Sequence, residues 1–144
     1  MKNKKLLYAI VIIAILVIVS IDFFTSNKMI FTKLDSQFQF KINQVALIEY
    51  GNIKIKFLNV IQDSRCPSDV VCVRAGDVAI LVNINKNNKN LGDFMLIVSP
   101  GNEDLAIEIF DGYSVKLIKV DPYPTTSKKI ELSDYIATLI VNKQ

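Results

Sequence analysis

The residues able to do chemistry are gathered in one stretch, Asp63 to Gly76, DSRCPSDVVCVRAG, which holds both cysteines and both arginines of the chain. Cys66 and Cys72, with five residues between them, suit a small disulfide loop, and Pro67-Ser68-Asp69 supplies a turn to bring the sulfurs together. A redox pair would need Cys-x-x-Cys spacing and a group to lower a thiol pKa, and only Arg65 and Arg74 are near. A metal site would draw on Asp63, Asp69 and Asp77 beside the thiolates. Zinc prefers four Cys or His ligands, however, and the aspartates lack the calcium-loop spacing. A structural clasp is the expected role, with no metal and no cofactor.

The rest of the composition narrows the field further. The chain has no histidine, so it lacks the usual general base near neutral pH and the commonest metal ligand. Ser-His-Asp and Cys-His catalysis are excluded within the chain, and the expectation is a protein that is not an enzyme. Net charge is +3, but Lys2, Lys4, Lys5 and Lys28 against Asp22 account for the excess, and the part from Met29 onward is balanced. A nucleic-acid binder carries its phosphate-neutralising charge as a patch on the folded part, so no nucleic-acid partner is expected.

The clustered lysines precede an apolar run, Leu6 to Ile21, which Phe23 and Phe24 extend. As a helix, residues 6–24 would cover about 28 Å, close to the ~30 Å hydrocarbon core. The sequence predicts a signal anchor over residues 1–24 and a tether over residues 25–36. The lysines before it hold the amino terminus in the cytoplasm, leaving an extracytoplasmic β domain over residues 37–144. Two alternatives stay open: a cleaved signal peptide that yields a secreted domain, and the apolar stalk of a pilin-like filament subunit.

After the anchor the periodicity is two. Phe38, Phe40 and Ile42 alternate with Gln37, Gln39 and Lys41, and Ile53, Ile55 and Phe57 alternate with Lys54 and Lys56. Val78 to Ile84 has apolar residues on both faces, as a central strand would. Asn85 to Asn90 reads as a polar loop, Phe94 to Val98 as a buried strand, and Leu105 to Ile109 as a further strand. Asp111-Gly112 is a hairpin turn, and Tyr135 to Val141 closes the chain. Met29, Ile30 and Phe31 either start an edge strand or continue in the interfacial zone. Seven or eight strands with turn signals about every ten residues predict an all-β, antiparallel β-sandwich, immunoglobulin-like or similar, with a small β-barrel as the alternative. The clasp then falls between a strand ending near Val60 and one beginning near Val70, with Ala75-Gly76 as a bulge.

Three side chains stand out as candidate partner or ligand contacts. Arg65 and Arg74 suit a partner's carboxylate or backbone, or else pair with Asp63, Asp69 or Asp77 to hold the loop. Tyr123, between Pro122 and Pro124, either presents its ring to a partner or lies across the open end of the sandwich. One of the two X-Pro bonds there is a candidate cis bond.

Asp63-Ser64-Arg65-Cys66-Pro67, Cys72, Ala75-Gly76, Pro122-Tyr123-Pro124 and the final Tyr135 strand together resemble a group of small exported or membrane-anchored β-domain proteins of bacteria and archaea. The resemblance runs from about Phe38 to Val141. This chain has Arg74 where relatives often have an aromatic residue, and it lacks their lipoprotein cysteine. What the resemblance implies is the exported compartment and the clasp, without a mechanism. The functional expectation is a non-enzymatic protein-interaction or accessory module of the cell envelope, with an envelope or surface protein as partner. A small-ligand or ion-binding exported domain is the alternative.

Overall fold

The computed structural model describes Tyr8, residues 10–17 and residues 29–144. Tyr8 and residues 10–17 are helical, and among the described residues no helix is long and apolar enough to cross a membrane. The described helix therefore does not show the transmembrane span expected over residues 6–24. The rest of that segment, and residues 25–28 of the expected tether, lie outside the described residues.

Among the described residues nine strands form two sheets: β1 Met29–Thr32, β2 Gln37–Lys41, β3 Val45–Ile48, β4 Ile53–Asp63, β5 Val78–Lys86, β6 Lys89–Val98, β7 Ile107–Phe110, β8 Tyr113–Asp121 and β9 Ile136–Lys143. One sheet has the order β1-β3-β4-β5-β6 and the other β2-β9-β8-β7. The arrangement is sandwich-like, as the alternating strands predict. Pairing is antiparallel except that β1 runs parallel to β3, with Met29 opposite Val45 and Thr32 opposite Ile48. Met29, Ile30 and Phe31 therefore start an edge strand, inside what the sequence suggests is tether.

The inward-facing half of each alternating strand makes the core. Ile53, Ile55 and Phe57 of β4 and Ile80, Val82 and Ile84 of β5 face Phe40 of β2 and Leu117, Leu139 and Val141 of β8 and β9, all fully buried. The Phe40 ring meets Phe57 across the two sheets at 5.4 Å between centroids. A buried side chain of this size stabilises by about 1.5–3 kcal/mol relative to leaving it in water. The apolar period is thus what fixes which face of each strand turns inward.

Local differences from the sequence reading have simple causes. Asn85 to Asn90 is mostly strand: Asn87 and Asn88 form the two-residue turn at φ 51° and 62°, a conformation asparagine tolerates, and β6 starts at Lys89. Glu103–Ala106 is a 3-10 turn, so β7 starts only at Ile107. Asp111-Gly112 makes the expected hairpin, with φ of 46° and 77°. Tyr135 precedes β9 instead of starting it. No strand begins at Val70: β4 continues to Asp63, β5 waits until Val78, and the whole stretch between is the clasp. Val70, Val71 and Val73 look strand-like in sequence, yet no neighbouring strand receives them.

Candidate functional site

The clasp grows out of the β4–β5 ladder. Beyond Asp63, opposite Val78, the two chains stay in register through Ser64 N–H to the Asp77 carbonyl and Cys66 N–H to the Ala75 carbonyl, both 2.8 Å. This continuation forces Gly76 against Ser64. At φ 69°, a Cβ on Gly76 would lie 1.8 Å from the Ser64 carbonyl oxygen, so glycine is required. Ala75-Gly76 is therefore a close backbone approach within a paired stem. Cys66 and Cys72 are joined by a disulfide, with Cα atoms 5.9 Å apart. Its position above the last ladder pair closes the tip of the loop.

The i, i+2 spacing of Asp63 and Arg65 puts both on one face of the extended chain, and they meet there. Arg65 donates Nε to Asp63 Oδ1 at 2.8 Å and a terminal nitrogen to Oδ2 at 2.6 Å. The side chains are only 7% and 9% exposed. The remaining guanidinium donors reach the other sheet, to the Val120 carbonyl at 2.5 Å and the Pro122 carbonyl at 3.0 Å. Tyr135 donates its hydroxyl to Asp63 Oδ2 at 3.1 Å. This cluster closes the open end of the sandwich. Burial by itself would raise the Asp63 carboxyl, but the hydrogen bonds and charge of Arg65 outweigh it and hold the carboxyl below its ordinary value. Burial, then the Asp63 charge, push the Tyr135 hydroxyl up. Arg65 thus makes the pairing with Asp63 that its spacing allows, and its remaining donors hold the backbone of the other sheet.

Tyr123 is held over Arg65, with the guanidinium carbon 4.9 Å from the ring centroid, while half of its surface stays exposed. The Asp121-Pro122 bond just before it is cis. Asp69 fixes the loop sideways by accepting the Thr126 backbone N–H and hydroxyl, and these bonds hold its carboxyl below the usual range. Ser68 N–H donates to the Pro124 carbonyl at 2.9 Å. Asp77 accepts from Gln62 and Ser64. The three aspartates thus have three separate tasks. Among the described residues no group of three or more His, Cys, Asp or Glu side chains is gathered in a way that could hold a metal ion.

The clasp tip itself carries Val71 and Val73 at 102% and 104% exposure, with Val70 also exposed. Arg74 beside them is exposed and makes no hydrogen bond or ion pair among the described residues. Two other surfaces are notable. The outer face of the five-stranded sheet exposes Met29, Phe31, Ile61 and Met95, with Leu47 and Leu81 half-buried among them. Between these lies a polar band in which Asn83 donates to Asn90, Gly92 and Asp93, next to Lys54 and Lys56. A cavity of about 330 Å³ also opens beside β6 and β8, lined by Val98, Pro100, Ala106 and Leu117 with Glu103 and Lys116.

Sequence reasoning brought out Arg65, Arg74 and Tyr123, and two of the three meet. It missed Tyr135 as the partner of Asp63, because the pair is 72 residues apart. It missed the exposed valines because apolar residues in alternation normally signal burial. Comparison with protein-family models, with curated proteins and with solved structures found no match for this chain.

Proposed function

We propose that this protein is a membrane-anchored, extracytoplasmic β-sandwich that acts without catalysis, as an interaction or accessory module of the cell envelope. The observation that carries the reading is the outer face of the five-stranded sheet. Met29, Phe31, Ile61 and Met95 are large apolar side chains left in water on a rigid surface, around a hydrogen-bonded amide band. Large apolar side chains exposed on both sides of a polar band suit a partner that covers the whole face. The partner that fits is an envelope protein with an apolar patch and acidic residues placed to meet Lys54 and Lys56. The absence of histidine from the chain supports the non-catalytic part, and the lysine-preceded apolar run of residues 6–24 supports the anchor.

The test is photo-crosslinking in cells from benzoylphenylalanine placed at Phe31 and, separately, at Met95. The same stoichiometric partner from both positions, lost on Ile61→Asp, supports the reading. A chain that crosslinks to nothing at either position and migrates as a free monomer after mild detergent extraction removes it.

A second reading is a binding domain for a small amphipathic ligand, favoured by the cavity beside β6 and β8, where Lys116 and Glu103 stand over an apolar floor. A thermal-shift screen tests it. Stabilisation by an organic anion that disappears with Lys116→Ala is expected, and no shift for any anionic ligand counts against it.

A further inference from the structure

The strand directions give the domain a membrane-facing end. Because β1 runs parallel to β3 and antiparallel to β4, the chain enters β1 at Met29 from the side of the sandwich where β4 reaches Asp63. The clasp is at that same end. Met29 is level with Val45, and Val45 with Lys56. From Lys56 to Asp63 the ladder advances five paired steps, about 17 Å at strand rise. From Phe24, where the apolar run stops, to Met29 is five residue steps, which reach at most about 17 Å. The two lengths are equal. A bilayer surface at Phe24 cannot stand farther from Met29 than the root of the clasp does, and the stem pairs Ser64–Asp77 and Cys66–Ala75 carry the tip beyond that level.

The chemistry of the tip agrees with this placement. Val71 and Val73 are fully exposed and Val70 is exposed, on a loop held by the disulfide and by the Asp69–Thr126 and Ser68–Pro124 bonds. Arg74 follows them in the loop, and the segment that Ser68 and Asp69 bind at Pro124 and Thr126 brings the half-exposed Tyr123 ring and Lys128 to the same end. Arg74 and Lys128 make no ion pair among the described residues, and the one carboxylate on the loop, Asp69, is engaged by Thr126. Lys129 is neutralised by Glu131 at 3.3 Å. Apolar side chains bordered by an aromatic ring and by cations are the composition of a segment that settles at the headgroup–acyl boundary.

The geometry points to the clasp loop as a second membrane contact: Val70, Val71 and Val73 enter the outer leaflet of the bilayer that holds residues 6–24, with Arg74 among the phosphates. This rests on the membrane-anchor reading above. It fixes the orientation of the domain, clasp down, with the Tyr50 end outermost and the five-stranded sheet's outer face presented sideways to a partner.

The chain contains no tryptophan, so single reporters are available. The full-length protein, reconstituted into vesicles of phosphatidylcholine and phosphatidylglycerol with brominated acyl chains, is compared with the same protein in unbrominated vesicles. Four variants are used: Val71→Trp, Val73→Trp, Ile13→Trp in the apolar run, and Tyr50→Trp at the opposite end. Val71→Trp and Val73→Trp are expected to be blue-shifted and quenched about twofold by bromine, Ile13→Trp more strongly, and Tyr50→Trp not at all. If Ile13→Trp is quenched while both clasp reporters emit as in water, the clasp contact is overturned and the anchor stands. If no reporter is quenched, the anchor reading fails and takes this inference with it. Both clasp positions are fully exposed, so the substitutions leave packing intact, and formation of the Cys66–Cys72 bond checks each variant's fold.

Discussion

Arg65 lies two residues beyond Asp63 and grips its carboxylate with two hydrogen bonds, of 2.8 and 2.6 Å, while its other donors hold the backbone of the opposite sheet at Val120 and Pro122. A single guanidinium thus ties the end of β4 to the end of β8. Its planar fork matters as much as its charge, since a lysine ammonium cannot reach a carboxylate and two carbonyls in this arrangement. Removing one member of a nearly buried pair leaves the other charged and unpaired.

Arg65→Met is therefore expected to destabilise the domain by about 3–5 kcal/mol, and Arg65→Lys to recover only part of this. Asp63→Leu combined with Arg65→Met should cost less than the two single changes added together, because no lone charge remains. Urea denaturation of the wild type, Arg65→Met, Arg65→Lys, Asp63→Leu and the double variant checks this. Strictly additive losses would show that the pair does not act as a unit.

The same fork gives acid sensitivity. The folded Asp63 carboxyl titrates below its ordinary value, so protonation is favoured in the unfolded chain. The resulting stability is present above about pH 4, the unfolded value, and is lost as pH falls through the folded pKa. Asp69, held low by Thr126, acts in the same direction. Between pH 5 and 2 the wild type should lose stability more steeply than Asp63→Asn. Parallel curves would remove Asp63 from the account. At the alkaline side the raised Tyr135 hydroxyl predicts the opposite sign, with stability falling above about pH 10 and Tyr135→Phe less affected.

Gly76 and Gly112 share a positive φ, 69° and 77°, in different surroundings. A Cβ on Gly76 collides with the Ser64 carbonyl, whereas one on Gly112 meets nothing within 4 Å. Gly112→Ala should cost about 1 kcal/mol, the left-handed penalty alone, and Gly76→Ala about 2–4 kcal/mol. Equal losses in denaturant melts would show that the stem opens freely around residue 76.

Thr138 on β9 is almost fully buried, and its hydroxyl has no hydrogen-bond partner among the described residues. Replacing it with the nearly isosteric valine removes a desolvated polar atom without opening a cavity. Thr138→Val is expected to raise stability by about 1 kcal/mol. A loss of that size instead would mean that the hydroxyl finds a partner in solution.

The disulfide spans a sequence separation of six, so the chain-entropy argument gives it about 2 kcal/mol. Its effect should also be local. In Cys66→Ser/Cys72→Ser, hydrogen exchange is expected to quicken at Cys66 and Ser64, whose N–H groups pair with Ala75 and Asp77, and to stay slow at Ile55 and Val82 in the core strands. Uniform acceleration along β4 and β5 would show that the clasp supports the whole sheet.

What the sequence determined by itself was what local pattern and chemistry can encode. Alternation along β2, β4 and β5 set the strands and their buried faces, since side chains on a strand repeat every two residues and only one face meets the other sheet. Asp111-Gly112 announced its hairpin through conformations open to those residues, and the nearby cysteines announced their bond. Tertiary structure alone decided what depends on distant neighbours. Arg65 became a brace between sheets because folding brings Val120, Pro122 and Tyr135 to it, and no local signal encodes that approach. Val71 and Val73 had an interior pattern and yet are exposed on the domain, because burial within it requires a strand or sheet to receive them and the clasp lifts them past the last one. The parallel placement of β1, which points the chain's entry toward the clasp, is likewise a matter of which edge was left to pair with.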